Sequence, residues 1–392
     1  MKKSPSLVRR TPWPTSSSTP LVTPLQPSAV YVTETPDALD AQYEGSAPGY
    51  TYSREGHPNA EVLARKIDGL EGVSGGWITG SGMAAVTAVF LGLLKAGDHV
   101  IGGDQLYGRT LRMMQQELPR MGIETSLVDP TNAAQVSAAL QPNTRMIVLE
   151  VVSNPTLRVA DVEGIAALAQ AQGILLVIDN TFTTPRGFSP AGVGADVIIH
   201  SVTKILSGHS DAMLGYVAAK DPDLQAAIIG TAVTLGLTPS PFDCWLAERG
   251  LYSFELRYDR AESNARALAD HLATLPGVRR VVYPTRTDHP DHNRAVALLG
   301  ERGGHMVSFE IEGDRAATNA LTAAATDIAF APTLGDIGTT LSHPASSSHR
   351  ALSDAARQAL GITEGFFRVS VGIEDIDLLK QEFEAAVRAA RG

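Results

Sequence analysis

Asp179 directly follows the apolar run 174–178, and Lys204 follows a second strand-like segment, 197–200, after the short stretch Ser201-Val202-Thr203. An amine at such a place can form an imine with a carbonyl compound. A carboxylate there can keep a heteroaromatic nitrogen protonated, so that the ring draws electrons. Pyridoxal 5'-phosphate (PLP) needs both groups, and the pair beyond two buried strands points to that cofactor. Either residue alone would read as a helix cap or a surface lysine.

A phosphate needs backbone N–H groups at a helix start. The stretch Thr79-Gly80-Ser81-Gly82-Met83-Ala84-Ala85 supplies small residues that permit close approach, followed by a helical run. Ser201 and Thr203 are two positions apart ahead of Lys204, a spacing that puts both hydroxyls on one side of an extended chain and toward the same phosphate.

These residues must be held by a scaffold. Apolar segments 100–102, 146–152, 174–178, 197–200 and 213–218 read as buried strands; 82–95, 108–121, 131–140 and 161–172 have helical spacing. The alternation predicts an α/β fold with a mostly parallel sheet, whose ligands sit beyond the carboxyl ends of the strands. Past residue 242 the texture changes. One long helix over about 244–275 precedes strands at 278–283, 306–311 and 366–371 and helices at 315–325 and 376–390, a smaller C-terminal α/β domain. The division expected is an arm over 1–59, a cofactor domain over 60–243 and a C-terminal domain over 244–392. The segment 333–350, rich in Gly, Ser, Thr and His, reads as an active-site loop.

With 392 residues, 44% of them hydrophobic, the chain can bury a large core, and a net charge of −10 argues against nucleic acid as partner. No apolar run is long enough to span a bilayer. A single cysteine, Cys244, excludes an intrachain disulfide and fits a reducing, cytoplasmic setting; it reads as a packed residue. The first 33 residues hold Lys2, Lys3, Arg9 and Arg10 and no acid, but Pro5, Pro12, Pro14 and Pro20 break any amphipathic helix, so an extended arm is expected rather than a targeting peptide. His289 and His292 flank Pro290, which denies them helical ligand spacing, and no metal is expected there.

The stretch from His200 to Asp211, His-Ser-Val-Thr-Lys-Ile-Leu-Ser-Gly-His-Ser-Asp, resembles the lysine signature of the Cys/Met-metabolism PLP enzymes. Other similar blocks follow the family's order: Tyr52 to Asn59, Ser81 to Ala85, Leu106-Tyr107-Gly108, Glu150 with Ser153-Asn154-Pro155, Asp179 to Phe182, Arg249-Gly250-Leu251, His343 to Ser346 and Arg368 to Asp375. The resemblance spans roughly residues 20 to 392. It implies an aspartate aminotransferase-like fold (fold type I) and an amino-acid substrate. Lys204 is then the Schiff-base lysine and proton shuttle, and Asp179 the partner of the pyridine nitrogen. Tyr107 stacks on the ring, and Asn154 lies near the ring oxygen. Gly82, Met83, Ser201 and Thr203 hold the phosphate, and Tyr52 and Arg54 reach the phosphate of a neighbouring subunit in a homo-oligomer, usually a dimer of dimers. Arg368 grips the substrate carboxylate, a two-pronged contact that lysine could not copy, and Thr339 borders the substrate.

The chemistry this implies is γ-elimination or γ-replacement on a sulfur amino acid or homoserine ester. A β-lyase acting on cystathionine or cysteine conjugates competes with it, as does a PLP-fold protein kept for binding alone. Three departures bear on substrate. Leu334-Gly335-Asp336-Ile337-Gly338-Thr339 has Gly338 where the family's late loop commonly carries an acid, and so resembles sulfhydrylases and methionine γ-lyases more than cystathionine enzymes. Arg109 follows Tyr107-Gly108, where a small residue or cysteine is usual, and could meet an acidic leaving group or point to solvent. His57 replaces an asparagine ahead of Pro58.

Overall fold

The structure is a computed structural model that describes residues 14–350 and 352–392. Lys2, Lys3, Arg9, Arg10, Pro5 and Pro12 of the expected arm lie outside these residues.

Seven strands make the first sheet: β1 (Trp77–Thr79), β2 (His99–Gly103), β3 (Glu124–Val128), β4 (Thr144–Glu150), β5 (Leu175–Asp179), β6 (Val197–Ser201) and β7 (Gly215–Ala219). Their order is β1-β7-β6-β5-β4-β2-β3. Strands β2 to β6 are mutually parallel, and β7 runs against both β6 and β1. The sheet is therefore mostly parallel, as expected, with one reversed strand. Side chains alternate between two cores. Val148, Val177 and Ile199 face the helices Gly82–Leu93 and Pro222–Thr234, whereas Leu149, Leu176 and Ile178 face Val162–Gln172. Both faces are covered, which is why these strands are apolar throughout.

A second sheet of β8 (Val278–Val282), β9 (Met306–Ile311), β10 (Ala329–Phe330), β11 (Thr340–Ser342) and β12 (Phe366–Ser370) has the order β10-β11-β12-β9-β8. It is antiparallel except between β10 and β11. Phe367 and Val369 of β12 enter the core formed with the helices Phe254–Leu272, Arg315–Ala324 and Ile376–Ala390. Alternation turns Arg368 to the opposite face. Among the described residues, no helix is long and apolar enough to cross a membrane.

The long helix expected over 244–275 is two helices, Pro241–Leu251 and Phe254–Leu272. The carbonyl of Gly250 accepts from Arg257 Nη2 (2.9 Å) and from Ser253 N–H, and the chain turns there. Cys244 and Ala247, on the first of these helices, pack with Leu63 and Ile67 of the helix Pro58–Glu71 against the large sheet. The second core begins only further along, with Ala265 and Leu268.

Candidate active site

The parallel strands end together at Gly103, Glu150, Asp179 and Ser201, and β1 joins them because Thr79 pairs with Gly215, which pairs with Ser201. The turn after β1 thus emerges beside the turn after β6. Ser81 caps the helix Gly82–Leu93 by accepting from Ala84 N–H (3.1 Å). Gly82 lies against Ser201, where a β-carbon would come within 2.7 Å of Ser201 Cβ. No described residue bonds the Ser201 hydroxyl, so a small cradle of N–H groups and one free hydroxyl opens at a helix start.

Thr203 is also tied within its own turn. Its hydroxyl donates to the Leu214 carbonyl (3.2 Å) and accepts from Leu214 N–H (2.9 Å). The two-residue rule holds only while a strand is extended, and β6 ends at Ser201. Lys204 N–H already closes a turn onto the Ser201 carbonyl (3.1 Å).

Asp179 is half-buried and accepts from Thr181 N–H (3.0 Å). Burial raises its pKa, against the hydrogen bonds from Thr181 and the nearby His200. It has no arginine or lysine partner among the described residues, so a ring N–H⁺ is the group this carboxylate lacks. Glu150 is its register neighbour on β4 and is raised further, by burial and then by the Asp179 charge. Glu150 accepts from Tyr107 N–H (2.6 Å), which fixes Tyr107 with 45% of its surface open, a face available to a planar ring.

Lys204 is half-buried on the turn after β6. Burial, then the Arg368 cation, lowers its pKa and favours the neutral amine. Arg368 is buried, and no carboxylate pairs with it among the described residues. Its Nη1 donates to Asn154 Oδ1 (2.7 Å) and its Nη2 to the Thr333 carbonyl (2.6 Å), while Nε has no partner. Burial holds it down to about 10. A buried, oriented guanidinium without a counter-ion is a receptor for a carboxylate. Asn154 is thereby seen to orient Arg368.

Thr339, expected at the substrate, is buried with its hydroxyl committed: it donates to Glu374 Oε2 (2.9 Å) and accepts from Gly372 N–H (2.9 Å). It clamps the loop. Asp336 is likewise engaged, by Gly338 N–H (2.8 Å) and the Ser210 hydroxyl. At Gly338 a β-carbon would meet only Asp336 Oδ1 at 3.4 Å and Glu374 Oε1 at 3.7 Å, so this side of the loop is open. Met83 is half-buried beside Gly82. Tyr52 and Arg54 are exposed, the guanidinium 5.2 Å from the Tyr52 ring centroid, and neither bonds the Gly82–Ser201 cradle of this chain. Arg109 is exposed beside Tyr107. His289 is held by the Leu157 carbonyl (3.0 Å) and Asp291 N–H (3.0 Å), and Cys244 is buried with its thiol pKa pushed up by burial.

Two residues of this region had no role in the sequence reading. Arg257 stood in a helical stretch with no local signal. His349, within the expected active-site loop, is buried, and burial followed by the Arg368 cation holds it down to about 4.

The cradle at Gly82, the Asp179 carboxylate without a cationic partner, the open face of Tyr107 and the half-buried Lys204 amine suit PLP, and the fold is that of the fold type I PLP enzymes. The match to known proteins agrees. Residues 6–388 match the family model for Cys/Met metabolism PLP-dependent enzymes, and the chain belongs to that family. It is 39% identical to a cystathionine beta-lyase of Bacillus subtilis, with 86% of each chain covered. It is 35% identical to an L-methionine gamma-lyase of Fusobacterium nucleatum, covering 93% of this chain and 92% of that one. Among solved structures, a cystathionine gamma synthase of Xanthomonas oryzae in complex with cystathionine superposes with a TM-score of 0.88 at 33% identity, over 94% of this chain and 93% of that one. The chain is a PLP-dependent enzyme that cleaves or forms carbon–sulfur bonds of an amino-acid substrate.

Proposed function

We propose that the enzyme performs γ-elimination or γ-replacement, on a sulfur amino acid or homoserine ester whose far end carries no ammonium group. The observation behind this reading is the loop at Gly338, open and without a free acid. Asp336 and Glu374 beside it keep their charge, but their oxygens already accept hydrogen bonds from Ser210, Gly338 and Thr339, so a distal ammonium would find no uncommitted acceptor there. Methionine and the esters of homoserine suit such a site better than cystathionine.

Asp179, Tyr107, Gly82, Met83 and Ser201 would hold the cofactor, which, when bound, supplies a sink for the electrons left on the substrate's α-carbon. Arg368 binds the α-carboxylate and fixes which C–H bond faces Lys204. Lys204, its pKa lowered by burial and by the Arg368 cation, takes the α-proton and then serves the β-carbon, the second proton loss that γ-departure requires. Tyr52 and Arg54, exposed and without a bond to their own chain's cradle, would complete the phosphate site of a neighbouring copy, so the active unit is a homo-oligomer. A cytoplasmic setting is part of the proposal, supported by the single buried thiol.

A second reading, β-elimination, draws on the similarity to the Bacillus beta-lyase. The test is to mix PLP-loaded protein with L-methionine, O-succinyl- and O-acetyl-homoserine (with and without a thiol), L-cystathionine and L-cysteine. 2-Oxobutanoate or a new thioether from methionine or the esters supports the proposal; pyruvate alone, from cystathionine or cysteine, replaces it with the β-lyase reading.

A further inference from the structure

Arg257 is 4% exposed and forms no ion pair among the described residues. Its bonds go to main chain and one hydroxyl. Nη1 donates to the Ile205 carbonyl (2.8 Å), Nη2 to those of Leu206 (3.1 Å) and Gly250 (2.9 Å), and Nε to Ser253 Oγ (3.1 Å). Ile205 and Leu206 directly follow Lys204. Room for the guanidinium comes from Gly208, whose φ of +78° and missing side chain admit it; a methyl there would overlap Arg257 Nη1. On the other side, the loop of the small domain is pinned to the same turn by Ile337 N–H on the Gly208 carbonyl (2.8 Å). Gly208 N–H in turn bonds the Lys204 carbonyl (2.8 Å).

A buried cation without a counter-ion is costly, and burial holds this one down to about 10. A neutral side chain could brace a helix at less cost. What guanidinium offers is a planar fork that reaches successive carbonyls at fixed angles. Resting on the reading of Lys204 as the cofactor-bearing lysine, we propose that Arg257 is a positioning residue: through the Ile205 and Leu206 carbonyls it sets the direction in which the Lys204 amine leaves its turn.

The test compares wild type with Arg257→Lys, which keeps the charge and loses the fork, and with Ser253→Ala, which frees Nε and removes the hydroxyl's own bond to the Gly250 carbonyl (3.3 Å). Measured are the rate at which cofactor-free protein takes up PLP, the pH midpoint of the cofactor's visible band, kcat, KM and thermal melting. Misdirection of Lys204 slows uptake about tenfold and lowers kcat about ten- to a hundredfold in Arg257→Lys. KM changes less than about twofold, and the band's midpoint moves by about half a pH unit. Ser253→Ala moves the same quantities the same way, by less, with melting unchanged. If Arg257→Lys does not fold, Ser253→Ala decides. A lower melting temperature with unchanged midpoint, uptake and kcat in the loaded variants overturns the inference alone. Wild-type protein that takes up no PLP overturns the reading of Lys204 and this inference with it.

Discussion

Replacing Arg368 by methionine should make the protein more stable and nearly useless as a catalyst. The charge is buried, and the fall of its pKa from 12.5 to about 10 corresponds to a cost on the order of 3 kcal/mol near neutral pH. Methionine fills similar volume without that charge but strands two acceptors, Asn154 Oδ1 and the Thr333 carbonyl, at about 1 kcal/mol each. The balance is a gain of about 1 kcal/mol for the substrate-free enzyme. Catalysis moves the other way. A carboxylate held by two charge-assisted hydrogen bonds loses both, about 2 kcal/mol apiece, so kcat/KM should fall about a thousandfold. Thermal melting of the PLP-loaded, substrate-free variant gives the first quantity and steady-state kinetics with the best substrate gives the second. A variant that melts lower than wild type while losing less than about tenfold in kcat/KM would refute the reasoning.

The same variant should shift the pH profile. Arg368 is the second cause of the lowered Lys204 pKa, so removing its charge raises that pKa and leaves less neutral amine at a given pH; the acid limb of PLP uptake by cofactor-free protein should move to higher pH, and an unmoved or lower limb counts against the argument. Gly82→Ala places a methyl 2.7 Å from Ser201 Cβ and should weaken PLP binding about ten- to a hundredfold, as overpacking of about 1–3 kcal/mol implies, read by titrating cofactor-free protein. Tyr216→Phe removes a 2.6 Å hydrogen bond to the buried Asp68 and should cost about 2 kcal/mol in urea unfolding with PLP affinity unchanged.

Much of the scaffold was legible because its central strands are covered on both faces: β4, β5 and β6 have to be unbroken apolar runs, and their last residues are then conspicuous. Strand β3 escaped because it is a half-exposed edge, written Glu-Thr-Ser-Leu-Val, and β1 because three residues carry no period. Lys204, Asp179 and Arg368 were legible in the sequence because the roles proposed for them depend on residue type at a strand end or in a motif. Roles that depend on where the chain goes afterwards were not. The bonds of the Thr203 hydroxyl to Leu214, past the end of β6, and of the Thr339 hydroxyl to Glu374 and Gly372 depend on tertiary turns that no local pattern signals. In sequence, Arg257 is one more arginine of an amphipathic helix, and only packing reveals that its face is turned inward.

The open side of Gly338 bears on how this enzyme can change in evolution. The residue does not occupy the left-handed region, and a β-carbon would meet its neighbours at ordinary contact distances, so a side chain can begin there without moving the main chain. Two of the glycine codons are one nucleotide from glutamate. The other two are one nucleotide from aspartate, so a lineage carrying this sequence is a single base change from setting an acid where the proposed site receives the substrate's far end, leaving Lys204, Asp179 and Arg368 untouched. Substrate preference can drift at that position while the reaction itself is preserved, which leaves a duplicated gene a short, foldable path to a new specificity.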